Sequence, residues 1–132
     1  MMIHSLHAND HFTFMNNAIN SSQGSYRRLF HSSPLDNMQV MVIAFKPDLF
    51  YPFIRDDLSG LITFTCLYGS LFIQTKATYN SNPDTLNLSP GSIVSFPRSF
   101  WRSTKSGANG AIFVECIEGQ FLPAHRKTLQ PK

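Results

Sequence analysis

The sequence is short of charged residues and of long apolar runs. Only 14% of its 132 residues are charged, against 42% that are hydrophobic, a balance typical of a compact globule and not of a disordered chain. No segment reaches the ~18 consecutive apolar residues that would span a bilayer. The first residues also lack the basic and apolar stretches of a secretory signal. These absences predict a cytoplasmic protein with no membrane partner.

Cysteine is equally scarce, with two residues in the chain. Cys66 and Cys116 both lie inside apolar, strand-like runs, which favours buried thiols over a disulfide or a reactive nucleophile. No nucleophile-elbow pattern occurs, so Ser/His/Asp and Cys/His catalysis have no support. The net charge of +3 comes from scattered Lys and Arg, with residues 125–127 as the longest basic cluster. We therefore expect no nucleic-acid partner.

The length predicts a single domain, because 132 residues suffice for one hydrophobic core and are too few for two. Within the domain 1–132, the patterning predicts a helical arm at 1–24, a barrel at 25–121 and a tail at 122–132. Asp10 is a suitable N-cap for a helix over 11–20 whose apolar face plugs or flanks the barrel.

Short apolar runs, separated by Gly, Pro and Asn turns at roughly ten-residue spacing, predict an all-β sandwich or barrel after that helix. Gly69 and Ser70 predict a hairpin, and residues 107–110 predict a turn between two further strands. The predicted strands and extended segments are 25–31, 38–45, 61–68, 71–78, 86–88, 92–96, 103–105 and 111–117.

One stretch, GSIVSFPRSFWR from Gly91 to Arg102, carries more information than the others. Physically it is a strand entered at a glycine turn and closed by a proline. Its spacing, Gly91-x5-Pro97-x-Ser99-x2-Arg102, resembles the second conserved motif of the cupin superfamily, G-x5-P-x-G-x2-H. Arg102 stands where that motif has a metal-binding His. The resemblance implies a cupin-type β-barrel, a jelly-roll-like double-stranded β-helix, with a short N-terminal helix.

More narrowly, the chain resembles the WbuC family of small cupins associated with O-antigen and related surface-polysaccharide gene clusters. The resemblance implies a role in polysaccharide biosynthesis. It rests on the segments Arg27–His31, Met38–Met41, Tyr51–Pro52, Trp101 and Val114–Phe121.

The resemblance also implies a metal site, and the chain departs from it there. Of the first cupin motif, Ile62-x6-Gly69 keeps the second half of the spacing. The segment 52–55 lies where Pro-His-x-His would be. Where metal-binding relatives would have His, His, Glu and His, this chain has Phe53, Arg55, Ile62 and Arg102. Arginine stays protonated, offers no lone pair and repels a divalent cation. No His-x-His occurs anywhere in the chain, so we predict no metal and no cofactor.

Two arginines at vacated ligand positions predict an electropositive cup that binds an anionic small molecule, because the guanidinium fork pairs with carboxylate or phosphate. Aromatic neighbours would add stacking surfaces. The alternative is that Arg55 pairs with Asp56 or Asp57 at the surface and that Arg102 pairs with Glu115 or points to solvent. The predicted ligand-binding set is Arg55, Arg102, Tyr51, Phe53, Ile62, Phe64, Gln74, Trp101, Phe113 and Glu115.

Three functions remain open from the sequence. The first is a metal-free binding module for a sugar nucleotide or an acidic sugar in surface-polysaccharide biosynthesis. The second is a metal-independent sugar isomerase or epimerase, with Tyr51, Tyr68 or Glu115 as the acid/base and His31 as a distant candidate. The third is a non-catalytic scaffold. A homodimer formed through sheet edges is expected, and whether the protein is an enzyme stays undecided.

Overall fold

The computed structural model describes residues 5–128, and within that range the chain forms one α-helix and eight antiparallel β-strands. The ends of the predicted arm and tail, 1–4 and 129–132, lie outside the described residues. The elements are α1 (His11–Asn20), β1 (Ser25–Leu29), β2 (Met38–Phe45), β3 (Phe50–Asp56), β4 (Leu61–Lys76), β5 (Asp84–Leu88), β6 (Ile93–Pro97), β7 (Trp101–Glu118) and β8 (Arg126–Thr128). The predicted all-β class with a short N-terminal helix is confirmed.

Two long strands organise the barrel. The second half of β7 pairs with β2, its first half pairs with β3, and β4 pairs with both halves. In the same way β4 carries β6 along its first half and β5 along its second. Because β4 and β7 each belong to two sets of pairings, the sheet folds over onto itself and encloses an interior.

The predicted hairpin at Gly69 and the predicted turn at 107–110 are both wrong, since β4 and β7 run through these positions. Gly69 and Gly110 instead bend the strands, with φ of +71° and +79°, and the pairing of β4 with β7 shifts register around Gly69. A Cβ on Gly69 would collide with the backbone of Gly110. Glycine thus provides a corner with close strand contact here, and the chain does not reverse.

Strand β2 is buried on both of its faces. Its odd residues, including Ile43 and Phe45, pack in the barrel core, and its even residues, including Val42, pack under α1 with Phe14 and Ala18. This explains why residues 38–45 read as a continuous apolar run and not as an alternating one. The helix flanks the barrel and does not plug it.

Residues 126–128 of the predicted tail form β8, which pairs with β3 so that Arg126 lies opposite Asp56. This strand brings a charged side chain to the barrel that the sequence pattern did not indicate. Cys66 is buried as predicted, Cys116 is half-buried, and both are free thiols. No helix in the described range is long and apolar enough to cross a lipid bilayer.

Candidate functional site in the barrel interior

A cavity of about 270 Å³ lies inside the barrel, and much of its wall is aromatic. The ring of Phe113 meets Phe45 at 5.1 Å and Phe64 at 5.5 Å between centroids, both nearly perpendicular, while Tyr51 stacks on Phe45 at 6.2 Å. These four rings are linked by contacts that fix their orientation. The cavity therefore has a rigid aromatic side.

Strand pairing explains which side chains reach this space. Phe113 of β7 lies opposite Ile43 of β2, and two residues further Glu115 lies between Met41 on one side and Phe64 on the other. Since alternate residues of a strand share a face, Phe113 and Glu115 both point inward. A carboxylate is thereby held in the middle of an apolar row.

The polar part of the wall is dominated by positive charge. It includes Arg27, Arg102 and Arg126, together with Glu115 and His31. Arg27 is exposed and Arg126 is half-buried, whereas Arg102, from the first half of β7, is only 3% exposed. Its Nη2 lies 3.6 Å from Asp56 Oδ2, and its buried Nη1 has no hydrogen-bond partner among the described residues.

Asp56 is the shared partner of three arginines. Arg98 Nε donates to Oδ2 at 3.0 Å, Arg126 Nε donates to Oδ1 at 2.9 Å, and Arg102 completes the group. Burial alone would raise the pKa of Asp56, but the hydrogen bond and charge of Arg126 and the charge of Arg102 hold it below its ordinary value. Three positive charges against one negative charge leave this cluster cationic.

The pKa of Glu115 is shifted in the opposite direction to that of Asp56. Burial raises the pKa of the Glu115 carboxyl above its ordinary value, although Arg102, Arg126 and Arg27 act to lower it. Arg102 and Glu115 come from the two halves of β7 and form no direct ion pair within the 4.0 Å limit for one. Glu115 is therefore a titratable carboxyl group in the wall of the cavity.

The structure divides the predicted ligand-binding set. Tyr51, Phe64, Arg102, Phe113 and Glu115 line the cavity, and that they bind a ligand stays a prediction. The other five do not line it: Arg55, Phe53, Ile62, Gln74 and Trp101.

The expectation that Arg55 and Arg102 share one cavity is wrong. Ile54 lies opposite Arg102 and lines the cavity, and Asp56 is buried. Because successive residues of a strand point to opposite faces, Arg55, between Ile54 and Asp56, points to the other side of β3. There Arg55 lies 3.5 Å from Asp57 and over the ring of Trp101 at 5.3 Å. Arg55 thus forms the surface pair with Asp57 that was the alternative to a place in the cavity.

The remaining predicted residues have structural surroundings of their own. Phe53 lies under the ammonium group of Lys76 at 4.6 Å, and Gln74 is half-buried between neighbouring strands. Ile62 is fully buried in the core. Tyr68, a candidate acid/base, is exposed and meets His11 at 6.2 Å, away from the cavity.

The sequence-based prediction does not include the ion-pair cluster around Asp56. The alternation of side chains along a strand puts Asp56 on the same face as the apolar Ile54, and this pattern indicates that Asp56 faces inward. Arg98 follows Pro97 in the motif without any pattern that indicates burial. Arg126 comes from a tail with no periodicity, so only β8 reveals its position.

The donor set does not fit a divalent metal. In the described part of the chain, no three His, Cys, Asp or Glu residues are grouped as ligands would be. Nδ1 of His31 is engaged with the backbone of Val40, and Glu115 is surrounded by arginines. Zn²⁺, Fe²⁺ or Mn²⁺ requires several imidazole, thiolate or carboxylate donors without competing cations.

Comparison with known proteins gives the fold. No protein-family profile and no curated protein matches the sequence, but solved structures do. CapF, solved with the inhibitor 3-isopropenyl-tropolone, has a TM-score of 0.70 at 16% identity over 85% of this chain and 33% of its own. Oxalate decarboxylase from Bacillus subtilis has a TM-score of 0.65 at 15% sequence identity, over 80% of this chain and 27% of its own. KdgF from Halomonas sp. has a TM-score of 0.59 at 10% sequence identity, over 73% of this chain and 79% of its own.

These proteins have the cupin fold, and at such identities the likeness extends to the fold alone. The chain spans about a third of the length of CapF and about a quarter of the length of oxalate decarboxylase. The predicted cupin-type barrel is confirmed.

Proposed function

We propose that this cupin-fold protein binds a small organic anion in its barrel cavity, with Arg102 as the principal contact and without a divalent metal. One observation carries the proposal: Arg102 is 3% exposed, lines the cavity and has an Nη1 without a hydrogen-bond partner among residues 5–128. A buried donor that lacks a partner costs about 1–3 kcal/mol, and more when charged. A ligand carboxylate would satisfy it.

The charge balance supports the same ligand. Asp56 is already shared by Arg98, Arg102 and Arg126, so it cannot neutralise all three. A carboxylate or phosphate would reduce the excess positive charge and form charge-assisted hydrogen bonds in a site shielded from water.

The resemblance to WbuC proteins suggests which anion to test first. It favours an acidic sugar or a sugar nucleotide used in surface-polysaccharide biosynthesis in the cytoplasm. It also suggests a homodimer. These parts of the proposal rest on the resemblance, while anion binding rests on the cavity.

Binding is tested by calorimetric titration of the purified protein with glucuronate, UDP-glucuronate and phenylacetate, in the presence of EDTA. We expect at least one anion to bind, and Arg102→Gln to weaken it by tenfold or more. Arg55→Gln is the matched control, because it removes a similar charge outside the cavity, and it should bind like the wild type.

Absence of binding by all three anions would overturn the proposal. So would equal losses in Arg102→Gln and Arg55→Gln. Binding that disappears in EDTA and returns with Zn²⁺ or Mn²⁺ would overturn the metal-free part.

A second candidate function, a metal-independent sugar isomerase or epimerase, is favoured by Glu115. This carboxyl lines the cavity, and burial raises its pKa above the ordinary value, which is the direction that favours general acid or base catalysis. Solvent deuterium exchange at a sugar carbon should then occur in the wild type and be lost in Glu115→Gln. Exchange that persists in both Glu115→Gln and Tyr51→Phe would contradict this candidate.

A further inference from the structure

The cavity wall is unevenly divided between apolar and polar surface, which bears on the kind of anion it accepts. Most of the wall is apolar, formed by the linked rings of Phe45, Tyr51, Phe64 and Phe113 and by aliphatic side chains. In the described part of the chain, the wall offers one deeply buried cationic donor without a partner, on Arg102. Such a site favours an anion with a single charged end.

Several polar groups in the wall are already engaged by the protein. The amide nitrogen of Gln39 donates to the carbonyl oxygens of Ser33, Pro34 and Asp36. Nδ1 of His31 is taken by the backbone of Val40. Nε2 of Gln39 and Nδ1 of His31 therefore order the loop before β2, and these two nitrogens are not available to ligand hydroxyls.

A sugar ring presents hydroxyl groups around its whole circumference. Each hydroxyl that enters the cavity without a partner loses its water and lowers affinity by about tenfold. Aromatic faces satisfy the C–H side of a sugar but not its hydroxyls. An aromatic or branched aliphatic body loses nothing in this way and gains from leaving water.

The volume acts in the same direction. About 270 Å³ lies just below the range of about 300–1,000 Å³ that ligand pockets usually have. A benzene ring with a short carboxylate arm fits within it. A sugar nucleotide, with two sugars, a base and a diphosphate, would have to extend out of it.

From this geometry we infer that the ligand is a compact monocarboxylate with an aromatic or branched aliphatic body, whose carboxylate meets Arg102 and whose body lies against Phe45, Phe64 and Phe113. This inference rests on the anion binding of the proposed function, and it departs from the acidic sugar or sugar nucleotide that the resemblance suggests. It makes polyhydroxylated sugar acids and sugar nucleotides poor ligands.

The test compares four probes on the full chain by calorimetry or by chemical shifts of the aromatic rings. They are phenylacetate, its neutral isostere phenylacetamide, glucuronate and UDP-glucuronate. Phenylacetate should bind at least tenfold tighter than each of the other three. In Arg102→Gln the preference for phenylacetate over phenylacetamide should fall to about twofold or less, whereas Arg55→Gln should retain it.

Because the comparison of phenylacetate with phenylacetamide uses the wild-type protein, it holds even where Arg102→Gln fails to fold, and Arg102→Lys then provides a charged variant without the fork. Equal binding of acid and amide would overturn the inference. Tighter binding of glucuronate or UDP-glucuronate that depends on Arg102 would overturn it as well and leave the proposed function intact. Absence of binding by every acid would overturn both.

Discussion

Two arginines that the cupin-like motifs place in one site, Arg102 and Arg55, lie in opposite environments. Arg102 is buried, lines the cavity and shares Asp56 with two other arginines. Arg55 is on the outer face of β3, with 29% of its side chain exposed beside Asp57. The comparison teaches that a position in a motif does not settle the role of a charge. Burial and partners decide it, because charges interact far more strongly inside a protein than at its surface.

The largest difference in stability between the surroundings of Arg102 and those of Arg55 should appear when the acidic partner of each, Asp56 or Asp57, is removed. Asp56→Ala leaves three buried or half-buried arginines without a carboxylate, and we expect it to lower the free energy of unfolding by about 3–5 kcal/mol. Asp57→Ala removes a side chain that is 62% exposed and should change stability by less than about 0.5 kcal/mol. Urea denaturation measures both. Similar losses in the two variants would contradict the distinction between the regions.

A smaller difference is expected between two partly exposed arginines. Arg126 donates to Asp56 at 2.9 Å and lies over the ring of Phe121 at 4.8 Å. Arg126→Ala should therefore lower the free energy of unfolding by about 1–2 kcal/mol. Arg55→Ala, which loses a weak surface pair with Asp57 and the contact with the Trp101 ring, should lower it by no more than about 0.5–1 kcal/mol. A silent Arg126→Ala would mean that backbone pairing alone holds β8 against β3.

The smallest effect is expected at Glu115 and depends on pH. Its pKa is raised in the folded state, so its contribution to stability is present below the ordinary glutamate pKa of about 4.3 and is lost as pH rises through the folded-state pKa. Glu115→Gln avoids that loss and should be more stable than the wild type at neutral pH. Denaturation midpoints between pH 4 and pH 8 measure the gap, which should close toward the acid end.

Glu118→Gln is the matched control for this effect, because Glu118 is an exposed residue on the same strand. Its denaturation midpoint should follow the wild type across the pH range. A Glu115→Gln variant that is less stable than the wild type at neutral pH would show that its carboxylate is held by a favourable ion pair, contrary to the separation of Glu115 from Arg102.

The sequence allowed the fold to be predicted better than the site. Helix α1 has the predicted bounds, and β2 covers the predicted 38–45, because apolar periodicity acts over a few neighbouring residues. The predicted cap does not form, since the Asp10 carboxylate accepts from the backbone N–H of His7 and not from the helix. The corners at Gly69 and Gly110 were misjudged because a positive φ suits a turn and a bent strand equally. Only pairing with distant strands separates the two.

The sequence by itself determined the all-β class and the helix that precedes the barrel. These follow from residue chemistry and local periodicity. Tertiary structure alone decided that Arg102 faces the cavity while Arg55 does not, and that Asp56, Arg98 and Arg126 join it. The physical reason is that strand phase, the curvature of β4 and β7, and the return of β8 bring together residues separated by up to 70 positions, and no local pattern encodes that proximity.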